Sequence, residues 1–524
     1  MPDTADSAAC RERKWAAFVA VAVERFERWY NTLSSLDAEE ITIDDLPPVD
    51  VMMVWHAYLL NPGWYAEDCT RLPKGNQLQK VGDILSETLS SCDGTYAGKM
   101  SHERAQARWY AKTSISWDPL RAPLELTKTL VVCPDCGRSV ESAFINKEGT
   151  GYSQTRFVQP CACGFTITKK NLCAYKLVLD VVRDDGTHRG FLAGTLQTPT
   201  SNLTGGPFSI ATLNRTKALK TSILSSDLFA RPKIKGTPVS EREWIKNIMD
   251  RTGYSLQPIN SKLALMFNSN LRRRILSAYS NDRIFSVDLV GAVLRQGSFT
   301  KKMHKLHWTQ PEYFSSSIDA IALQHAIARY HAFMDLMVVP GAFLVPTLDI
   351  DLAWHTHQLM ATAYGKDCKK VMQKFIDHND KISQDTLAIS YDLTCKAWKE
   401  RFGQAYSHCG CPLPGDSIGK KLQRLIGVLE NTAPSHLIPP EQPDLLAATH
   451  PSDHNAVFPV HRRAEAQAAQ KQRRAKNARR QQKAVEEAKR DRASEKDGYI
   501  EVVEDHLVAF LTPVPTNYGT YVIA

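Results

Sequence analysis

Four cysteines carry the most specific chemistry in this chain. Cys133-Pro-Asp-Cys136-Gly and Cys161-Ala-Cys163-Gly are separated by 24 residues. A Cys-x-x-Cys turn closed by glycine presents two thiolates on one side, and a second pair completes the tetrahedron that zinc prefers. The second pair is tighter than the usual two-residue gap, and Cys173 lies near enough to replace one of its members. Four thiolates leave no open position, so zinc held by Cys133, Cys136, Cys161 and Cys163 would be structural. The alternative is a set of buried free thiols acting as small apolar side chains. Cys409-Gly-Cys411 with His408 is a weaker echo of the same pattern.

A second constellation is formed by His355, His357, Asp377, His378, Asp380 and His408. Imidazoles and carboxylates at this density suit iron, zinc or manganese. Its sharpest version is a 2-His-1-carboxylate iron site of a 2-oxoglutarate-type oxygenase, with His355, His378 and Asp380 as the catalytic set. Helix geometry opposes part of it. Asp349 sits where an N-cap belongs, and Leu352, Leu359 and Met360 fall at helical spacing. His355 and His357, two residues apart on a helix, point about 200° apart and cannot share an ion, whereas Asp351 and His355 can. Asp377-His378-Asn379-Asp380-Lys381 has no apolar stripe and reads as a functional loop or as a helix cap followed by a polar turn. There is no Gly-rich phosphate loop, nucleophile elbow or His-Glu-x-x-His helix.

The histidine phrase occurs twice. Pro47, Asp50, Trp55, His56, Tyr58, Tyr65, Asp68 and Cys69 map onto Pro346, Asp349, Trp354, His355, His357, Tyr364, Asp367 and Cys368 by one constant offset. Residues this rare do not align without gaps by chance, so two related helical units are expected. Shared positions serve a common fold, and positions unique to one copy are the better candidates for chemistry. On that ground His56 and His355 read as core residues.

The second copy also carries a family resemblance. Phe285 to Phe299 (Phe-Ser-Val-Asp-Leu-Val-Gly-Ala-Val-Leu-Arg-Gln-Gly-Ser-Phe), Trp308, Arg329-Tyr330-His331, Leu344 to Leu359 and Ile376 to Lys381 closely resemble the glycine-rich domain-containing protein family of plants and fungi. The resemblance extends over most of residues 12–460. With 27 glycines in 524 residues the chain lacks the glycine-rich tail and is most similar to the fungal branch, and Asn379 stands where the family usually has aspartate. The family has no assigned biochemical function, so the resemblance implies kinship rather than a reaction.

The elements that must position these residues follow from patterning. Trp15, Phe18, Val19, Val23, Phe26 and Tyr30 recur at helical steps, predicting a helix over 10–31. Asp50 is placed to cap a helix over 51–60, which Asn61-Pro62-Gly63 stops before another over 64–71. Leu130 to Val132, Phe157-Val158, Phe165 to Thr168 and Tyr175 to Val182 read as strands. The expected fold is α+β and mainly helical: a first helical unit (10–127), a small β-rich zinc module (128–237) and a second helical unit (238–411). A proline-rich connector (412–461), a basic helical tail (462–497) and a C-terminal segment (498–524) follow. No apolar run reaches membrane-spanning length, and twelve cysteines without a secretory signal favour reduced thiols in the cytoplasm or nucleus.

Net charge is +9, and Arg462 to Asp497 contributes 13 Lys and Arg against 6 Asp and Glu. The rest sums to about +2, so the body shows no large nucleic-acid footprint on this reading, and the tail is the expected contact for RNA or another acidic partner. The reading that follows is a non-enzymatic interaction protein with an unknown protein partner. The metal-dependent oxygenase, with iron, is the alternative.

Overall fold

The computed structural model describes residues 8–33, 42–91, 102–183, 190–196, 210–310, 313–338, 343–372, 375–378, 382–409, 435–439, 442–452 and 456–457. The basic tail, the C-terminal segment, most of the proline-rich connector, Asn379, Asp380 and Cys411 lie outside them. The chain divides into two compact units, one of residues 1–294 with 358–378 and one of 295–357 with 379–522. The described residues are mainly helical, and their strands pair as two-stranded sheets.

The first unit opens with five helices: α1 (Ala8–Thr32), α2 (Val49–Leu59), α3 (Pro62–Arg71), α4 (Gly75–Ser91) and α5 (His102–Thr113). The short α6 (Ala122–Glu125) precedes two antiparallel hairpins, β1 (Lys128–Val132) with β2 (Ser139–Ala143) and β3 (Val158–Pro160) with β4 (Thr166–Thr168). Helices α7 (Lys169–Val182) and α8 (Ile210–Leu224) and the hairpin β5 (Lys233–Ile234) and β6 (Thr237–Pro238) come next. After them run α9 (Glu241–Thr252), α10 (Leu256–Met266) and α11 (Ser269–Ser277). The unit has two cores, of which one supports the hairpins: Val131, Phe144, Phe157 and Ile167 bury with Ala20 and Val21 of α1. Leu177, Val178 and Val181 of α7 bury with Ile248, Met249, Ile259, Leu263 and Ile275.

Tyr175 to Val182 is therefore helix, not strand. Thr168 and Asn171 form a reciprocal capping box that starts α7, and the buried positions Ala174, Leu177, Val178, Val181 and Val182 follow a helical three-and-one rhythm. Capping and burial override the β-branched composition of the run. The Asp184-Asp185-Gly186 turn expected after it lies outside the described residues.

The chain passes through α12 (Leu289–Lys305) into the second unit. There α12, α13 (Ser317–Met337), α14 (Leu348–Leu359) and α17 (Pro443–Ala448) share a core of Phe299, Met303, Trp308, Ala322, Leu348, Leu445 and Ala448, and α16 (Gln384–Phe402) packs on α13. The intervening α15 (Ala361–Asp367) lies in the stretch 358–378. A short parallel pair, β7 (Ile382–Ser383) with β8 (Ala456–Val457), completes the described elements.

Both copies of the repeated phrase are helix, break and helix, α2–α3 and α14–α15. Trp55 and Trp354 are buried as expected. Asp50 is not an N-cap: it lies inside the first turn of α2, and its carboxylate instead meets buried Arg25 of α1, Nε to Oδ2, at 3.0 Å. In the second unit Asp349 meets buried Arg329 of α13 through the same atoms at 2.6 Å. The remaining guanidinium nitrogens donate to backbone carbonyls, those of Trp117 and Asp118 for Arg25 and those of Leu437 and Tyr406 for Arg329. A tryptophan covers each cation, Trp109 at 5.3 Å from Arg25 and Trp398 at 5.2 Å from Arg329. Burial pushes the Asp50 carboxyl up against the pull of Arg25.

Removing one partner of such a pair strands a charge in the core. Asp50→Ala and Asp349→Ala should each cost on the order of 3–5 kcal/mol, and Arg329→Met with Asp349→Leu distinctly less than Asp349→Ala alone. Urea midpoints give the comparison; an Asp349→Ala protein as stable as the parent would show that the pair does not hold the unit.

Candidate metal centre

The hairpins explain how two unequal cysteine spacings reach one geometry. In the first, the Val132–Ser139 pair closes the ladder. Cys133 N–H then donates to Arg138 O (2.9 Å) and Gly137 N–H to Cys133 O (2.8 Å). In the second, Cys161 N–H donates to Phe165 O (2.9 Å) and Gly164 N–H to Cys161 O (2.9 Å), so the turn is one residue shorter. Gly137 and Gly164 have φ of +70° and +89°, values that a side chain would oppose and that let each chain reverse beneath its thiols.

The four sulfurs converge. Cys133 Sγ lies 3.7 Å from Cys163 Sγ and Cys136 Sγ lies 3.6 Å from Cys161 Sγ, and all four fall within 4.8 Å of one another. A tetrahedron with metal–sulfur bonds of about 2.3 Å has edges of about 3.8 Å, so the cluster is compatible with a zinc-sized ion. The Arg138 N–H pulls the Cys136 thiol down to about 7, while burial pushes Cys133 up to about 12. Cys173 is not a member: it is buried on α7, where burial pushes its thiol up to about 12. The first turn also anchors α9. Arg242 donates to Cys136 O, Lys246 pairs with Asp135 at 2.6 Å, and Tyr254 O–H donates to Asp135 at 2.9 Å.

The described members of the histidine constellation each have partners within their own unit. His56 is half-buried, whereas His355 is buried, and its Nε2 lies 3.2 Å from buried Asp351. Ser452 O–H donates to Asp351 at 2.6 Å, and the Phe299 ring lies 4.6 Å from His355. Burial pushes nearby Lys302 down to about 8, opposed by the Asp351 charge. The first copy has Met52 where the second has Asp351, so this pair is particular to the second copy. His357 bonds the Tyr330 hydroxyl at 2.9 Å; its counterpart Tyr58 donates to Asp68 at 2.5 Å. His408 bonds Ala405 O at 3.1 Å, and Cys409 Sγ lies 3.7 Å from His450. His355 belongs to the second unit and His378 to the first, and Asp380 lies outside the described residues.

Asp377 and His378 brace the helix break of the first copy. Asp377 Oδ1 accepts the Gly63 N–H at the start of α3 (2.9 Å), and Asp377 also pairs with Arg274 at 3.3 Å. His378 Nδ1 bonds Leu60 O at the end of α2 (2.9 Å). This pair supplies the cap that Asn61 does not make with its own side chain. Sequence reading missed Arg25 and Arg329, whose signal was a second repeat: Trp109 and Trp117 match Trp398 and Tyr406 by one shared offset, a different one from that of the histidine phrase.

A Cβ at Gly63 would stand 2.5 Å from the Asp377 carboxylate. Asp377→Ala should cost about 1 kcal/mol as a lost cap, Gly63→Ala more, and the double variant less than the sum of the two. Thermal melts of the three proteins test the coupling; strict additivity would remove Asp377 from the cap.

Among known proteins, residues 240–367 match the family model described as Glycine-rich domain-containing protein-like. Glycine-rich domain-containing protein 2 of Arabidopsis thaliana is 34% identical over 147 residues, covering 26% of this chain and 17% of that protein. Glycine-rich domain-containing protein 1 of the same plant is 35% identical over 132 residues, covering 24% and 15%. The matched stretch thus spans about a sixth of these relatives and less of this chain than the 12–460 read from motifs. No solved structure matches.

Proposed function

We propose, from the premise that residues 240–367 belong to the glycine-rich domain-containing protein-like family, that this chain works as a non-enzymatic interaction and scaffold protein. The observation that carries the reading is the use to which its polar residues are put. Asp50, Asp349, Asp377 and His378 hold helices together through ion pairs and backbone bonds. Zinc bound by Cys133, Cys136, Cys161 and Cys163 would stabilise the hairpin module and take no part in a reaction; the sulfur spacing supports that assignment. The matching arginine–aspartate–tryptophan sets support a duplicated ancestry for the two helical units, with the domain boundaries given above. The tail from Arg462 to Asp497 would meet an acidic partner, RNA among them, in the cytoplasm or nucleus.

The metal-dependent oxygenase retains one supporting observation, the buried Asp351–His355 pair that the first copy lacks. Elemental analysis of the purified chain separates the readings: one zinc and no iron per chain supports the scaffold, and a second, exchangeable redox metal supports the enzyme. Cys133→Ser with Cys161→Ser should release the zinc and make residues 128–168 protease-sensitive, because metal binding free energy is folding free energy for so small a module. Metal loss without a change in proteolysis would exclude a structural role.

A further inference from the structure

We infer that the folded body presents a second, independent contact for nucleic acid, a cationic face formed by α8 and α11 around residues 190–196. The near-neutral sum for the body conceals it. Residues 210–275 hold 13 Lys and Arg against 4 Asp and Glu, balanced by an acidic excess elsewhere. Within that stretch α8, α10 and α11 contain seven Lys and Arg and no Asp or Glu.

The face is continuous because residues 190–196 join its two helices. Lys220 of α8 donates to Gly190 O (2.7 Å) and Arg215 to Leu196 O (3.0 Å). On the other side Gly194 packs so closely on α11 that a Cβ there would meet Ile275 Cα at 2.8 Å. Beneath them buried Glu67 accepts the Gly194 and Thr195 N–H groups and pairs with Arg274 at 3.3 Å. That carboxylate is fully buried, and Arg274 also pairs with the partly exposed Asp377, so the exposed charge of the face rests on Lys217, Arg272 and Arg273. Arg215 bonds to the carbonyl oxygens of Thr195 and Leu196, and Arg273 to Ser269 O and the Asn270 side chain. Arg183, Lys217 and Arg273 are exposed and Arg272 half-exposed.

Cations arranged in this way gain from releasing condensed counterions along a phosphodiester backbone. The three helices contain no Phe, Tyr or Trp, so they offer no base-stacking platform, and the contact should be indifferent to sequence and to sugar. A bilayer fits less well. α8 turns Thr212, Thr216 and Ile223 inward, and exposed Ile210 and Leu265 stand singly on different helices, giving no apolar stripe to embed.

The test is fluorescence anisotropy with the full chain and labelled single-stranded RNA or DNA between about 50 and 200 mM salt. Lys217→Gln, Arg272→Gln and Arg273→Gln together should lower the slope of log affinity against log salt by about 2, since each lost phosphate contact removes about 0.7. Affinity at the lowest salt should fall about tenfold or more, equally for RNA and DNA. Deleting 462–497 should leave this effect of the triple variant intact, which separates the face from the tail. Lys217→Gln alone should lower the slope by about 0.7 and guards against a misfolded triple variant. A parental slope in these variants overturns the proposal, as does binding to phosphatidylserine vesicles with neither nucleic acid bound. The face includes neither the tail nor the thiols, so its failure would leave the scaffold reading standing.

Discussion

A buried guanidinium dictates much of what surrounds it. Its delocalised charge leaves water only where a carboxylate, several acceptors and a polarisable cover are all supplied, and the desolvation cost is several kcal/mol before any of them is in place. Arg25 and Arg329 meet that demand in the same way: an aspartate from the first turn of the next phrase helix, carbonyls from a loop far along the chain, and a tryptophan face from α5 or α16. Segments distant in sequence, three in the first unit and four in the second, are thereby tied at one point in each. Lysine could not substitute, because one ammonium cannot satisfy in-plane aspartate and carbonyl acceptors together.

What differs between the copies is as informative as what they share. In the first, Asp68 gathers the Tyr58 hydroxyl, the Ser286 N–H and Arg71 into a fully buried network. In the second, Asp367 is exposed, and the place of Tyr58 is taken by His357, turned to Tyr330. The second copy has instead placed a carboxylate, Asp351, beside the shared histidine. The arginine, the aspartate and the tryptophan recur in both; the remaining positions differ, one set forming a buried network and the other a compact acid–imidazole pair.

The sequence was legible where chemistry is local and opaque where it is not. Cysteine turns announce themselves because both thiols of a pair and the glycine that reverses the chain lie within five residues. The helix–break–helix phrase was equally plain from its spacing. Arg25 and Arg329 were not, since their partners lie far away and insertions between the elements give them a different offset from the phrase they serve. Tyr175 to Val182 was misread because β-branched composition was weighed above the Thr168–Asn171 cap that decides it. Asp377 was seen as special, but that its helix terminus belonged to the other copy could not be read from neighbours in sequence.

The two hairpins have little apolar surface with which to hold themselves closed. A two-stranded hairpin is marginal in water, and β3–β4 has only three residue pairs. Their inward side chains reach the core with α1, yet Leu130, Val132 and Val158 on the outer face stay exposed. Apolar burial on one face alone leaves the turns free to open. An ion held by the four sulfurs would join the two turns, and the first turn supplies the acceptors that seat Arg242, Lys246 and Tyr254. The first cysteine turn thus acts as the socket for α9, and α9 begins the stretch of this chain that matches the family model.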